Sequence, residues 1–409
     1  MNYGALLFAL FVALTIVTVP PFPVGAELSA RSAATGSNHR FGLRLTTKLG
    51  LSQPDANVVV SPLLIQAALS LLYAGSSPES GRDLRHALEL THASSPKEAV
   101  QDFQVLLSDL KQSAAVGCRL RLLSDFYAQQ RFTFNFRDEF AALASQMGVG
   151  CHRLSWESAS NAAQDINYAF LSRSNFSLGE LVSASQLELL AEHNTPFLHV
   201  SALTFRAPWA QSFDPAETQS INFLAGGSRP RLVDAMFRLR RYRYAEVPAL
   251  DAQLIEVPFA TADLRMLIVY PNRADGLAQL ERKLAQSDLQ QLRTQLEEHK
   301  VALTLPKFKI LVHSTLTEVL KELGLAKLFT SEIQLSEVFS SMLSSSAPPL
   351  GAVVQSSLLE LQEEGGDAGG SFSFGDLFRR ALPLVINHPF FYAIGNDKTL
   401  LLAGHIVDI

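Results

Sequence analysis

Cysteine is scarce in this chain: Cys118 and Cys151 are the two in 409 residues. Neither has a CxxC neighbour, and the adjacent Cys151-His152 is not a metal spacing. With so few thiolates and no CxxC pair, a structural zinc site is not expected. An excess of charge of one sign is also missing. The formal net charge is -5, so bulk electrostatics points neither to nucleic acid nor to an acidic membrane surface. There is no internal repeat and no long low-complexity tract. The motifs of hydrolytic and nucleotide chemistry are absent. "GGSFSFG" does not fit the G-x-S-x-G elbow, and neither HExxH nor a P-loop occurs. The ten histidines are scattered and mostly single, so none is assigned a role, and neither cofactor nor metal is expected.

What the chain has is apolar material, 47% of its residues, enough for a large core. Length alone would suggest two or three domains. The long apolar run lies at the start, in "MNYGALLFALFVALTIVTVPPFPVGA". Ala5–Val19 is short for a bilayer span, prolines at 20, 21 and 23 close it, and Val24-Gly25-Ala26 offers small residues to a signal peptidase. Residues 1–26 read as a secretory signal peptide. The other reading is a retained N-terminal anchor, which the missing flanking Lys or Arg disfavours. No later stretch is long enough to span a membrane. Secretion gives meaning to Asn175-Phe176-Ser177, a glycosylation sequon, and to the two cysteines, which an oxidising compartment would let pair.

Along the chain, "NVVVSP" reads as a buried strand and "LLIQAALSLLYAG" as a helix ending at Gly75. Residues 95–114 have helical spacing. "CRLRLLSDFYAQ" and "GVGCHRLSW" read as strands with a helical crossover, and "TPFLHVSALTFRAPW" as another strand. Residues 276–299 read as two helices broken near Ser287-Asp288. "VALTLPKFKI" reads as one strand, "STLTEVLKELG" as a helix capped by Ser314, and the C-terminus as two strands around "GNDK". Helices and strands mix without regular βαβ alternation, which argues for an α+β fold.

Two segments stand out. "RPRLVDAMFRLRRYRY" (229–244) concentrates arginine, with Arg238, Arg240, Arg241 and Arg243 closely spaced. It reads either as a polyanion patch for a partner such as a sulfated polysaccharide, or as a solvated strand face whose charge blocks edge pairing. "EEGGDAGGSFSFGDLFRR" (363–380) is too glycine-rich for a helix and too apolar at its end for a solvated linker.

Several blocks together resemble the serpins. "NVVVSPLLIQAALSLLYAGSSPES", "HVSALTFRAPWAQSFDPAET", "LTLPKFKI…LTEVLKELGLAKLF" and "HPFFYAI…LLLAGHIVDI" follow that family's order and spacing from about Phe41 to the end. The resemblance implies a single α+β domain over 27–409, with a large mixed sheet A, sheets B and C, surrounding helices and an exposed reactive-centre loop at about 363–388. In inhibitory serpins a protease cleaves that loop and is held as an acyl-enzyme while the loop's upstream half inserts into sheet A. The hinge would be Glu363, Glu364, Gly365, Gly366, Ala368, Gly369, Gly370 and Ser371. A strand entering a packed sheet turns alternate residues inward, which favours small side chains there. The reactive bond would be Arg379–Arg380, with Phe378 or Arg380 as bait if the register shifts by one, and a dibasic processing site as the other use of the pair. Trp209 would mark where the loop first enters.

The family's polar cluster under the opening sheet is altered. Ser61 remains, while Leu64, Ser201 and Gln355 stand where the family has serine, asparagine and histidine. Gly366 stands where inhibitors carry threonine or serine, and Phe372 where the family has a small residue. The resemblance also pairs the strands opened by Cys118 and Cys151 as parallel neighbours, and so implies a Cys118–Cys151 disulfide, the other reading being two separate thiols. Two functions follow. One is a secreted, extracellular, monomeric suicide inhibitor of a trypsin-like serine protease, itself no enzyme. The other is a non-inhibitory binding or carrier serpin, or a simple protease substrate.

Overall fold

The computed structural model describes residues 24–91, 93–113, 117–174, 178–192, 196–261, 263–340, 348–365 and 381–409. The chain opens with helix α1 (Val24–Ser52), strand β1 (Val58–Val60) and helices α2 (Pro62–Ala74), α3 (Pro78–Ala87) and α4 (Pro96–Ser113). Then come β2 (Arg119–Gln129), β3 (Asn135–Phe136), α5 (Asp138–Gln146), β4 (Val149–Leu154), α6 (Ala159–Arg173), α7 (Ala184–Glu192) and β5 (Phe197–Arg206). The middle holds β6 (Gln219–Ala225), β7 (Arg229–Val247), β8 (Ala252–Pro258), β9 (Arg265–Pro271), α8 (Leu277–Leu284) and α9 (Leu289–Thr294). The last part holds β10 (Glu297–Pro306), β11 (Phe308–Thr315), α10 (Thr317–Leu320), β12 (Phe339–Ser340), β13 (Leu350–Leu361), β14 (Leu382–Val385), β15 (Phe390–Gly395) and β16 (Leu400–Ile406).

Three sheets organise these elements. A five-stranded mixed sheet has the order β11-β13-β5-β2-β4 and is the expected sheet A. Its two central strands, β5 and β13, run parallel and pair directly from Phe197–Leu350 to Arg206–Glu360. A nine-stranded assembly has the order β1-β16-β15-β9-β8-β7-β10-β14, with β6 on the first half of β7. The long β7 joins what the family resemblance separates as sheets B and C. β12 and β3 form a small third pair.

Alternation along β5 explains the layering. Phe197, Leu203 and Phe205 face the core shared with the nine-stranded assembly. Leu198, Val200 and Ala202 face the other way, onto Ala162, Ile166 and Phe170 of α6. Helix α6 therefore lies across the front of sheet A, spaced i, i+4, i+8 on its buried side.

Most element readings agree with this arrangement, including the strand and helix around Ser61-Pro62, the break between α8 and α9, and the final hairpin. Three differ. Residues 297–299 belong to β10 rather than to a helix, because they pair with Tyr242–Tyr244 of β7. "VALTLPKFKI" is two strands in two sheets, β10 and β11, parted at Pro306-Lys307, where proline cannot donate to the ladder. Ser314 caps nothing: it pairs with Gln355 inside sheet A, and α10 begins after Leu316 without a side-chain cap. Gly324, at φ 100°, ends that helical stretch as its position suggested.

The disulfide also fails. β2 and β4 are parallel neighbours, but Cys151 stands opposite Phe126, eight residues along from Cys118. At about 3.3 Å per residue that is roughly 26 Å, far beyond the reach of a bridge. Both cysteines are free, and burial raises the thiol pKa to about 11 at Cys118 and about 12 at Cys151.

Candidate functional site

The described part of the loop leaves sheet A at the end of β13, and three consecutive residues pin it there. Phe213 N–H donates to the Glu363 carbonyl at 3.0 Å, and Trp209 N–H donates to the Glu364 carbonyl at 2.8 Å. Gly365 bridges Trp209 as a parallel partner. A side chain at Gly365 would run into the backbone of Ser212 and lie 2.8 Å from the Trp209 carbonyl, so only glycine allows this approach. Trp209 is 1% exposed, stacks on Phe259 at 4.5 Å, and donates its indole N–H to the Gln362 carbonyl at 2.7 Å. Trp209 thus touches the chain at Gln362, Glu364 and Gly365, just past the end of β13.

Charges reinforce the backbone contacts. The Glu363 carboxylate accepts from Lys307 Nζ at 3.1 Å and from the Thr218 hydroxyl at 2.9 Å. Burial opposes its ionisation, but its own backbone N–H, these two donors and the Lys307 charge hold its pKa below the usual range. Glu364 pairs with Arg206 at 2.6 Å, and Arg206 also reaches Glu360 at 3.1 Å. Arg206 and Glu360 belong to β5 and β13, so this pair spans the seam between the two central strands.

Deeper along the same seam lies the altered polar cluster. Ser61 is the N-cap of α2 and donates its hydroxyl to the Leu401 carbonyl at 2.7 Å. Gln355 accepts from Ser61 N–H at 2.6 Å through Oε1 and donates through Nε2 to Ser201 Oγ at 3.1 Å. One amide thus ties α2, β5 and β13 with both its acceptor and its donor. All three residues are buried. Leu64, the third altered position, is buried apolar core. The substitutions replace one network by another rather than leaving a gap. The exception is Ser314 Oγ beside Gln355, which is buried without a partner.

On the front of sheet A the structure assembles a group the sequence reading missed. Asp125 of β2, fully buried, is paired by the Arg173 guanidinium at the end of α6. It also accepts from Tyr127 Oη at 3.2 Å and Gly150 N–H at 3.1 Å, and lies 3.6 Å from His152 Nε2. Burial alone would raise this carboxyl; hydrogen bonds from His152 and Arg173, with their charges, overcome it and hold the pKa at about 2. Behind it, His199 of β5 touches Ser124 Oγ at 2.8 Å, and burial lowers its pKa to about 4.

The arginine-rich stretch does not converge. By strand alternation Arg238 and Arg240 take one face of β7, and Arg241 and Arg243 the other. Arg238 donates to the Ser212 carbonyl, and Arg240 lies over the Tyr242 ring at 4.9 Å. Arg243 pairs at 2.9 Å with Glu256, a buried carboxylate also held by Arg293 at 3.1 Å. Arg241 is left to solvent, 3.9 Å from Glu298. Gly366, Ala368, Gly369, Gly370, Ser371, Phe372, Arg379, Arg380 and Asn175 lie outside the described residues. No group of three metal-ligating side chains occurs among the described residues.

A sheet of this order, with a loop leaving beside a buried tryptophan, defines a class of protein, and comparison with known proteins agrees. The family description Serpin (serine protease inhibitor) matches residues 36–409, and the chain belongs to that family. It is 29% identical to Serine protease inhibitor 42Dd of Drosophila melanogaster, over 88% of this chain and 93% of that protein. It is 26% identical to Alaserpin of Manduca sexta, over 94% and 96%. Among solved structures, cleaved Serpin 42Da superposes with a TM-score of 0.77 at 27% identity, covering 93% of this chain and 99% of that one. Uncleaved ovalbumin gives 0.80 at 21% identity over 92% and 100%, a likeness of fold alone.

Proposed function

We propose that this serpin is a secreted, monomeric suicide inhibitor of a trypsin-like serine protease, acting through a reactive-centre loop at 363–388 cleaved between Arg379 and Arg380. In this reading residues 1–26 are a leader removed on secretion, 27–409 form the single domain, and Asn175 carries a glycan. The observation that carries it is the direct parallel pairing of β5 and β13. A loop strand running antiparallel to both can enter between them, replacing one parallel ladder by two antiparallel ones. Ala368, Gly369, Gly370 and Ser371 supply small side chains for that strand, and relatives named as protease inhibitors agree with the reading.

An arginine at the cleaved bond suits a protease whose pocket holds a buried carboxylate. The second reading, a non-inhibitory carrier or simple substrate, draws on Gly366 and Phe372. A phenylalanine forced into a packed seam costs about 1–3 kcal/mol and slows insertion. Incubation with trypsin followed by denaturing electrophoresis separates the two. A complex resistant to denaturation, lost in Arg379→Ala, is expected. A cleaved chain without complex, melting no higher than the intact protein, would leave the second reading.

A further inference from the structure

Four residues lie in one row across the front of sheet A, and one of them, Arg206, also pairs with Glu364 where the chain leaves the sheet. Pairing sets Arg119 of β2 opposite Arg206 of β5, Arg206 opposite Glu360 of β13, and Glu360 opposite Lys309 of β11. Directly opposed residues share a face, and three strand spacings make the row about 14 Å wide. It holds three cations and one carboxylate. Glu360 pairs with Arg206 at 3.1 Å and accepts from the Gln362 amide at 2.6 Å, and Glu364 meets the same guanidinium at 2.6 Å, so Arg206 carries its own carboxylates. Arg119 and Lys309 have no ion-pair partner among the described residues.

Arg121, exposed two residues along β2 on the same face, reaches only the Leu120 carbonyl among the described residues, at 3.4 Å. Arg119 stands directly opposite Arg206, whose own charge Glu360 and Glu364 already meet, so the Arg119 charge is left over.

The row encloses a recess of about 170 Å³, with Arg119, Arg206, Lys309 and Glu360 around Thr204 and Leu358. We propose that this recess binds a tetrahedral oxyanion, a phosphate or sulfate carried free or on a small molecule. Arg119 and Arg206 would meet it on one side, Lys309 on the other, with the Thr204 hydroxyl as a donor. Guanidinium forks match such oxygens in charge and geometry, and a bound anion meets the charges of Arg119 and Lys309. The site does not depend on the inhibitory reading.

The test is titration calorimetry on the full chain with inorganic phosphate, inorganic sulfate and glycerol 3-phosphate, with acetate as the control, at fixed ionic strength. Saturable binding of the tetrahedral anions is expected, weakened about tenfold by Arg119→Gln and by Lys309→Gln and unchanged by Arg241→Gln. Tighter binding of glycerol 3-phosphate than of phosphate assigns the site to an ester, and the reverse to the free ion. Both substituted side chains are exposed, so melting curves without anion should match the parent. No saturable binding in the millimolar range, equal affinity in Arg119→Gln, or acetate binding as tightly as phosphate would each overturn the proposal.

Discussion

The mouth of the β5–β13 seam and its middle are held by different physics. At the mouth, Glu363–Lys307 and Glu364–Arg206 are partly exposed ion pairs around backbone contacts to Trp209. Such pairs contribute about 0.2–1 kcal/mol each and are screened by salt. In the middle, the neutral amide of Gln355 joins Ser61 to Ser201 behind the sheet, and the buried Asp125 carboxylate holds α6 in front of it. These groups are expensive to leave without partners and are barely reached by salt. The seam is therefore loose and tunable where the chain leaves it, and locked farther in.

The sharpest way to break that contrast is Arg173→Met, which strands Asp125. The expected loss is about 3 kcal/mol of unfolding free energy, at the low end for removing a buried partner because Arg173 is itself part exposed. The acid limb gives a second readout. Asp125 has a depressed native pKa, so its stabilisation is complete above about pH 4 and is lost as pH falls towards about 2, on the order of 2 kcal/mol in all. In Arg173→Met that limb should vanish or reverse, since burial alone raises the carboxyl. Urea melts from pH 7 to pH 2.5 check both, and an unchanged limb would refute the assignment.

Gln355→Leu comes next. It orphans Ser61 N–H and takes the amide donor from Ser201 Oγ, at an expected cost of about 2 kcal/mol. The loss should be the same at 0.1 M and 1 M salt. Glu363→Gln should give the smallest effect, under about 1 kcal/mol, falling towards zero at 1 M salt. A larger loss for Glu363→Gln than for Gln355→Leu would invert the comparison.

The sequence carried the outline well. The strand and helix around Ser61-Pro62 and the final hairpin each landed where their pattern put them. The side-chain chemistry of the middle was less legible. Aligning Gln355 with a histidine position says which residue is there, but not that one amide serves both neighbours. Asp125 and Arg173 are 48 residues apart on a strand and a helix, and no local period links them. The available signal was a lone acid, beside Ser124, in the mostly apolar and aromatic run from Leu122 to Tyr127, which needs a partner if buried. Cys118 and Cys151 failed for a related reason. Knowing that two strands are parallel neighbours does not fix their offset, and eight residues of offset separate any two side chains.

Gly365 has a meaning for anyone wishing to re-engineer the molecule. Its hydrogen side chain sets the place of departure, and Leu382, paired with Val301 of β10, sets the place of return. Both anchors are written in backbone geometry, independent of the residues strung between them. The bait end of the stretch they bracket is thus the part open to rewriting for a new recognition task, since insertion ties the upstream half to small side chains.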